Sequence, residues 1–409
     1  MKIVRFTAFL LFTYFLIQNN TFAQGAFWEP NKGCVVDANF ECIPNTLLTA
    51  TPFLTIVPDA RSGGMGDAGV AITPDANSLH FNISKLAFVN QETELSVTYT
   101  PWLRNLGLSD VYMAYLGGYK KIDDISTVAG ALRFFSLGDI NFTDINGAPT
   151  GTGKPRELEL TLGYARKLSP NLSAGIAGKF INSNLASGQE VNGIPIKPGN
   201  AFAADISFTY TSNEHFGFDG GNLSAALSLT NLGSRISYTS SSTREFLPGS
   251  LTFGAAFKME FDEFNTFTVA LDINKLLVPT PIPVDHPDYE TGGDPDVPDY
   301  REKSTFGGIF GSFADAPGGF SEEIQEFSTS LGFEYWYANQ FAVRAGYYYE
   351  HPLKGDRQFI TLGVGLKYNV FGLDISYLAP TNTRRSPLDN TLRFTFRFNV
   401  GEADNSGNN

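Results

Sequence analysis

The sequence is poor in the side chains that build metal centres and nucleophilic sites. It contains two cysteines and four histidines among 409 residues. The histidines do not fall in a Ser/His/Asp arrangement or at metal-ligand spacing. Two thiols with so little histidine nearby are too few for a structural metal site. We therefore expect no enzymatic activity, no metal ion and no cofactor.

Long apolar runs are also missing, apart from one near the N-terminus. Lys2 and Arg5 precede an apolar run over 8–17, and Thr21-Phe22-Ala23 follows after a short polar stretch. This pattern predicts a signal peptide over 1–23 that is cleaved after Ala23. A membrane anchor is the alternative, but a spanning helix needs about 20 apolar residues. A mature chain that resides in a membrane would therefore cross it as strands.

Positive charge is scarce relative to negative charge. The chain has 29 Lys and Arg against 42 Asp and Glu, which gives a net charge of -13. Removal of the signal peptide would take away two further positive charges and no negative ones. Such a surface repels a phosphate backbone. We therefore expect no nucleic acid partner.

Period-two alternation of apolar and polar residues is the dominant pattern. In the segment 391–400, Leu392, Phe394, Phe396, Phe398 and Val400 share one face, and only polar residues occupy the other. Side chains alternate across a strand, so this pattern requires an apolar environment on one side and a polar one on the other. The aromatic content of 14% suits the outer band and girdles of a membrane barrel.

The same alternation predicts fourteen strands between Glu94 and Val400, without an intervening linker. Most of them approach the length of about 9–11 residues that a tilted strand needs to cross a bilayer. The predicted strands lie near 95–100, 111–118, 127–135, 157–166, 172–180, 202–210, 222–230, 250–258, 266–274, 328–337, 341–349, 359–368, 371–378 and 391–400.

Connection lengths support a barrel independently of hydropathy. The even-numbered connections include the short 167–171, 259–265, 338–340 and 369–372, whereas the odd-numbered ones include the long 136–156, 181–201, 231–249, 275–327 and 379–390. Outer-membrane barrels alternate short periplasmic turns and long surface loops in this way. The sequence thus predicts an all-β fold, a fourteen-stranded antiparallel outer-membrane β-barrel over 94–400 with a polar tail over 401–409, in contact with membrane lipid.

The residues ahead of the strands, 24–93, do not alternate cleanly. A fourteen-stranded cylinder has a lumen wider than its own side chains can fill, and we expect this segment to occupy the lumen as a plug. It carries Cys34 and Cys42. Export to an oxidising compartment and the even count favour one disulfide between them.

A G-x-G-x-x-G pattern occurs within this segment at Gly64, Gly66 and Gly69. In a dinucleotide-binding fold it would follow a strand and open a helix. Here Pro74 interrupts that helix within two turns, and no second parallel strand follows. The pattern alone does not indicate a cofactor site.

The stretch 64–71 and the following 75–87 resemble the N-terminal signature of the PorV/PorQ family, relatives of the FadL-type outer-membrane barrels. The Asn-Pro-Ala element of that family is represented by Asn82-Ile83-Ser84, which keeps the Asn alone. The fourteen strands, the Trp102-Leu103 loop and the Arg-Phe pattern of the last strand resemble PorV more than PorQ.

This resemblance implies a role in the type IX secretion system of Bacteroidota. Proteins of this kind are not enzymes. They bind the C-terminal signal domain of cargo that emerges from the secretion translocon, and carry the cargo to a surface attachment complex containing a PorU-type sortase. FadL relatives instead move hydrophobic small molecules through the barrel, which is the alternative function. A porin-like structural role is a third possibility, and the fold alone does not separate the three.

The longest connection, 275–327, has a second half rich in aromatic residues and glycine. Unstructured loops beyond about 15 residues are usually functional or disordered. One interpretation is a lid that covers the barrel mouth and hides these side chains from water. The other is a partner-docking surface. The docking candidates are Phe306, Ile309, Phe310, Phe313 and Phe320, together with Trp102 in the first loop.

Overall fold

A computed structural model describes most of the chain. The described residues are 27–29, 34–36, 40, 42–43, 47–104, 108–143, 146–191, 194–212, 221–239, 244–282, 299–317, 319–382 and 390–401.

Fourteen antiparallel strands close into one barrel, and each coincides with a predicted strand. The last strand pairs with the first, so that Phe396 lies opposite Val97. Closure leaves no strand edge with unpaired backbone groups. The predicted fold class is confirmed. The strands are β1 Thr93–Pro101, β2 Val111–Lys121, β3 Ser126–Leu137, β4 Arg156–Lys167, β5 Leu172–Asn184, β6 Gly199–Ser212, β7 Asn222–Gly233, β8 Ser250–Glu260, β9 Asn265–Leu276, β10 Phe327–Tyr337, β11 Phe341–Tyr349, β12 Gln358–Tyr368, β13 Phe371–Pro380 and β14 Leu392–Val400.

The barrel wall is apolar outside and polar inside. In β1, Leu95 and Val97 are each 46% exposed on the outer face, whereas Ser96 and Thr98 point inward and are buried. In β14 the outward Phe396 is exposed and the inward Arg393 is buried. This arrangement is the reverse of a soluble protein and matches a wall that contacts lipid. No helix in the described part of the chain is long and apolar enough to cross a bilayer.

The two ends of the barrel differ in the length of their connections. One end has tight turns, such as 338–340 between β10 and β11 and 369–370 between β12 and β13. The opposite end has the long connections, including 234–249 and 277–326. Because short turns are periplasmic in outer-membrane barrels, the end with the long connections is called the outer end.

The chain before β1 passes through the barrel. Residues 48–92, called the inner segment, begin at the outer end, where the Ala50 amide donates to the Phe246 carbonyl. They finish at the periplasmic end, where Glu92 accepts from the Lys121 amide. The inner segment contains the 3-10 helices Pro52–Thr55 and Ile83–Phe88 and the α-helices α1 Ala60–Gly63 and α2 Ser78–Phe81. The apolar core lies between this segment and the wall, for example around Phe53 and Ile181.

Short elements complete the fold. Three small strands, Phe27–Glu29, Cys34–Val36 and Cys42–Ile43, form a separate sheet near the N-terminus. Hairpins occur in two outer connections, one from Ile140–Thr143 with Pro149–Gly153 and one from Glu190–Val191 with Ile194–Pro195. The longest connection contains three helices, α3 Asp299–Glu302, α4 Thr305–Gly311 and α5 Phe320–Gln325.

Candidate functional site

The glycine-rich motif of the inner segment binds a carboxylate of the barrel wall. The backbone amides of Gly69 and Val70 donate to Oδ2 of Asp272 in β9, over 2.7 and 2.9 Å. Backbone N–H groups in such loops commonly hold an anionic ligand. Here the anion is a side chain of the same protein, so the motif fixes the inner segment to the wall.

The same motif permits a close approach of two backbones. Gly66 has φ +67, and a Cβ on it would lie 2.5 Å from the backbone nitrogen of Tyr347 in β11. A Cβ on the facing Gly346 would lie 2.0 Å from the nitrogen of Gly66. Both positions therefore require glycine, since any side chain would push the inner segment away from the wall.

Asn82 makes hydrogen bonds both within the inner segment and to the barrel wall. Its Nδ2 group donates to the Val70 carbonyl over 2.9 Å and to Oγ1 of Thr209 over 2.8 Å. Its Oδ1 atom accepts from the Ser84 amide and caps the Ile83–Phe88 helix. Asn82 thus joins two turns of the inner segment to β6.

A chain of alternating charges crosses the lumen. Arg61 donates from Nε and Nη2 to both carboxylate oxygens of Glu334, over 2.9 and 2.8 Å, and from Nη1 to Asp75 over 2.9 Å. Glu334 also accepts from Arg344 over 2.7 Å, and Arg344 donates to Asp374 over 2.8 Å. These side chains are almost completely buried.

The charge chain continues to the strand that closes the barrel. Asp374 accepts from Arg397 over 2.9 Å, and Arg397 lies 3.5 Å from Glu94 in β1. Glu94 in turn accepts from the Ala76 amide of the inner segment over 2.9 Å. The network therefore links the inner segment to β1, β10, β11, β13 and β14.

A second charged cluster lies on the opposite part of the wall. Arg133 lies 3.1 Å from Glu159 and donates to the Phe53 carbonyl over 2.7 Å. Lys179 contacts Asp205 over 2.9 Å. Together the two clusters place paired charges on both sides of the inner segment within the described lumen. Among the described residues, no group of three or more His, Cys, Asp or Glu side chains is placed to hold a metal ion.

The outer end carries exposed apolar side chains on short helices. Residues 299–326, called the outer segment, contain α3, α4 and α5. Residues four apart share one face of a helix, which places Phe306 with Phe310 and Phe320 with Ile324. Together with Phe313 these residues are 46–80% exposed and are called the outer apolar set. The rings of the set are therefore not hidden from water, contrary to the lid interpretation.

Buried ion pairs hold the outer segment on the barrel. Glu326 is fully buried between Lys275 at the end of β9 and Lys354 in the 350–357 connection, and lies 2.9 Å from Lys354. Glu323 pairs with Lys275 over 3.1 Å, and Glu322 pairs with Lys354 over 2.7 Å. This cluster presents the exposed rings from a fixed base, because each carboxylate is tied to the wall or to an adjacent connection.

Two further contacts position the outer segment. Gly308 of α4 packs on Phe246 and Pro279, where a Cβ would lie 2.8 Å from the Phe246 ring. Asp315 accepts from the Thr280 amide over 3.3 Å. Burial raises the pKa of the Asp315 carboxyl to about 6, against the opposing effect of Lys303.

The docking candidates differ in their exposure to solvent. Phe306, Phe310, Phe313 and Phe320 are exposed, whereas Ile309 is half-buried. Trp102 is only 6% exposed and packs edge-to-face on Phe135, with ring centroids 5.0 Å apart. Its ring belongs to the core and is not presented to a partner, because the side chain turns toward the inner segment. The side chains of Cys34 and Cys42 lie outside the described residues, so their disulfide stays a prediction.

Sequence reasoning missed several residues of the outer segment and of the connection that holds it. Ile324 belongs to the outer apolar set, and its spacing from Phe320 was the available signal. Glu323, Glu326 and Lys354 form the anchoring cluster. These charges gave no signal, because the pairing depends on how the connection folds over the wall.

Comparisons with known proteins agree with this architecture. A family model described as "Type IX secretion system protein PorV" matches residues 41–283. No curated protein matches the chain.

Solved structures give the fold alone, because sequence identity is low. A TodX deltaS2S3 mutant, a monoaromatic hydrocarbon channel, is 13% identical with a TM-score of 0.50, covering 84% of this chain and 99% of that one. The Ralstonia pickettii toluene transporter TbuX is 9% identical with a TM-score of 0.45, covering 84% and 98%. A Pseudomonas aeruginosa FadL homologue is 10% identical with a TM-score of 0.41, covering 88% and 100%.

Proposed function

The chain belongs to the PorV family of type IX secretion system proteins, and on this premise we propose that it binds the C-terminal signal domain of secreted cargo at its outer end. As a FadL-like barrel of this family it is an integral outer-membrane protein. The proposed role is a shuttle. It receives cargo at the translocon and delivers it to the attachment complex that contains a PorU-type sortase.

The outer apolar set is the observation that carries this proposal. Exposed apolar side chains that are held on a fixed base favour an interaction surface. Phe306, Phe310 and Phe320 are each more than 70% exposed, while Glu326 anchors the segment beneath them. Burying one such ring against a partner contributes about 1.5–3 kcal/mol.

The lumen supports a function at the surface rather than through the barrel. A hydrophobic solute would have to displace the inner segment, whose Arg61 and Asp75 take part in the buried charge chain. Removing one partner of a buried ion pair costs about 3–5 kcal/mol. Transport of hydrophobic small molecules is therefore the alternative function, and the experiment has to distinguish it from the shuttle.

The experiment removes the exposed rings and leaves the barrel untouched. The Phe306→Ser/Phe310→Ser variant, in the full chain with an affinity tag, is purified from native outer membranes. We expect it to insert normally and to recover at least about thirtyfold less translocon and cargo, since the loss of even one ring at about 2 kcal/mol corresponds to that factor. The matched control is Leu185→Ser, which removes an exposed apolar side chain from the 185–198 connection.

Unchanged recovery of secretion partners by the double variant would exclude this surface. An effect of Leu185→Ser as large as that of the double variant would mean that general surface hydrophobicity, rather than the outer apolar set, governs recovery. If instead the variant changed uptake of a hydrophobic solute and left secretion intact, the transporter function would replace the shuttle.

A further inference from the structure

The periplasmic end of the barrel contains a cavity that has no part in the proposed docking at the outer end. Its volume is about 760 Å³, which is within the range of about 300–1,000 Å³ for ligand pockets. Five basic side chains contribute to its lining, namely Lys85, Lys167, Lys258, Lys367 and Arg397. Lys167 and Lys367 lie next to the short turns 168–171 and 369–370. The cavity therefore faces the periplasm.

The basic groups exceed the acidic groups in the lining. Glu94 and Glu260 are the acidic side chains that line the cavity, and each is already paired. Glu260 accepts from Lys258 over 2.7 Å, and Glu94 lies 3.5 Å from Arg397. A surplus of positive charge in this lining, within a chain whose net charge is -13, attracts anions into the cavity.

Three of the lysines lack a carboxylate partner. Lys85 is almost completely buried, and its ammonium donates to the Gly69 carbonyl over 2.5 Å. Lys167 lies over the Phe88 ring, 5.7 Å from its centroid. Within the described parts of the chain, Lys85, Lys167 and Lys367 form no ion pair with another side chain. Because Lys85 is held by the Gly69 carbonyl, Lys167 and Lys367 are the groups available to an acidic ligand that enters from the periplasm.

The positions of the lysines around the wall define the size of that ligand. Lys167, Lys258 and Lys367 point inward from β4, β8 and β12, so Lys258 lies four strands from each of the other two. Neighbouring strands are about 4.8 Å apart, so four strands span roughly 20 Å along the wall. A single phosphate or carboxylate is much smaller than this separation along the wall. An extended peptide rises about 3.3 Å per residue, and roughly six residues cover the same distance.

We propose that this cavity binds an extended acidic peptide segment of a periplasmic protein. Carboxylates along the segment would contact Lys167 and Lys367, with the Lys258–Glu260 pair between them, and backbone groups would meet the polar lining around Asn222 and Asn399. The site lies at the opposite end from the outer apolar set. It therefore gives the protein a second contact, on the periplasmic side, that does not depend on the proposed docking surface.

The experiment measures peptide binding to the full chain in neutral detergent. The probe is a fluorescein-labelled dodecapeptide of alternating Glu and Ser, and the reference peptide has Gln at every Glu position. Fluorescence anisotropy is recorded for the unaltered protein and for Lys167→Gln/Lys367→Gln. The matched control, Lys154→Gln/Lys197→Gln, removes the same charge from exposed lysines at the outer end. Heat-modifiable migration on gels shows that each variant is folded.

We expect the acidic peptide to bind in preference to the Gln peptide, and the binding to weaken as salt is added. Lys167→Gln/Lys367→Gln should weaken it roughly tenfold or more, and the matched control should leave it unchanged. Equal binding of both peptides, or equal weakening by the control, would overturn the proposal. Displacement of the peptide by low millimolar inorganic phosphate would replace the peptide site with a small-anion site.

The chain's own tail is the remaining competitor, because Glu402 and Asp404 follow Gly401. The measurement is therefore repeated with a chain that ends at Gly401. Binding that occurs only after this truncation would identify the tail as the occupant and would overturn the proposal. A negative result with the peptide would not contradict the proposed docking at the outer end, since partner capture through Phe306 and Phe310 is measured separately.

Discussion

Arg61 and Glu334 are separated by 273 positions in the chain, yet the guanidinium of one donates two hydrogen bonds to the carboxylate of the other. The distances are 2.9 Å from Nε and 2.8 Å from Nη2, and both side chains are buried. Planar bidentate pairing of this kind fixes orientation as well as position. The contact attaches the inner segment to β10 across the lumen.

The first prediction concerns this pair. Glu334→Ala leaves Arg61 and Arg344 without their shared carboxylate and should lower the free energy of unfolding by about 3–5 kcal/mol. Urea titration of the detergent-solubilised barrel, followed by tryptophan fluorescence, measures the change. Lys154→Ala is the control, because it removes an exposed pair with Asp139 and should cost less than about 1 kcal/mol. Equal losses in the two variants would show that the buried pair does not hold the inner segment.

The second prediction concerns the close backbone contact at Gly66. Gly66→Ala should lower the free energy of unfolding by about 3 kcal/mol or more, because it adds both a clash and left-handed strain. The control is Gly147→Ala, at φ +80 with no atom within 4 Å of the added Cβ. Gly147→Ala adds left-handed strain without a clash and should lower the free energy of unfolding by about 1–2 kcal/mol. The same urea titration compares them, and a Gly66→Ala effect no larger than the control would mean that the two backbones separate freely.

The third prediction concerns the anchor of the outer segment. Glu326→Gln removes the charge that pairs with Lys275 and Lys354, so the segment should open more often. Hydrogen bonds to charged groups contribute about 1.5–3 kcal/mol, which corresponds to roughly tenfold or more in local opening. Limited trypsin digestion after Arg301 and Lys303 measures this opening.

The barrel strands should resist trypsin in the Glu326→Gln variant, which separates local opening from unfolding. Glu263→Gln, at an exposed turn of the periplasmic end, serves as the control and should leave the digestion rate unchanged. Equal digestion rates for Glu326→Gln and the unaltered chain would show that the ion cluster does not anchor the segment.

The fourth prediction concerns the two cysteines. Because an outer-membrane protein is exposed to an oxidising compartment, Cys34 and Cys42 should form an intramolecular disulfide. Mass mapping of the non-reduced protein should recover one cross-linked peptide that contains both residues. Alkylation of both thiols without reductant would contradict the prediction.

The barrel was predictable from sequence because its cause is local. Leu158, Leu160 and Leu162 alternate with Glu157 and Glu159, and each residue faces lipid or lumen according to its place in the strand. Alternation needs no knowledge of distant residues. The turns followed for the same reason, since they are the short interruptions between alternating runs.

Residue pairing inside the lumen was not predictable in this way. The sequence pattern assigns Arg344 and Asp374 to inward faces, but their contact over 2.8 Å depends on the strand order of the closed barrel. Trp102 shows the same limit. It follows β1 directly and was expected in a surface loop, but it packs on Phe135 because the inner segment supplies an apolar neighbour at Phe53.

The helices of the outer segment were not predicted from the sequence, because their composition does not favour a helix. Gly307, Gly308 and Gly311 lower the helix propensity of α4, so the sequence alone gave a glycine-rich loop. Tertiary contacts override this propensity. Gly308 packs on Phe246, and Ser304 caps the helix by accepting from the Gly307 amide over 3.0 Å. The exposure of Phe306 and Phe310 follows from these contacts.

Affinity purification of the tagged full chain from native outer membranes tests the central claim most directly, with a chain lacking 304–321 purified in parallel. The account predicts that the full chain recovers the secretion translocon, a PorU-type sortase or cargo bearing C-terminal signal domains. The shortened chain should insert as a barrel and lose these partners, since the backbone hydrogen bonds of the barrel lie elsewhere. Recovery of the barrel alone with a bound fatty acid, or equal recovery of secretion partners by both chains, would contradict the account.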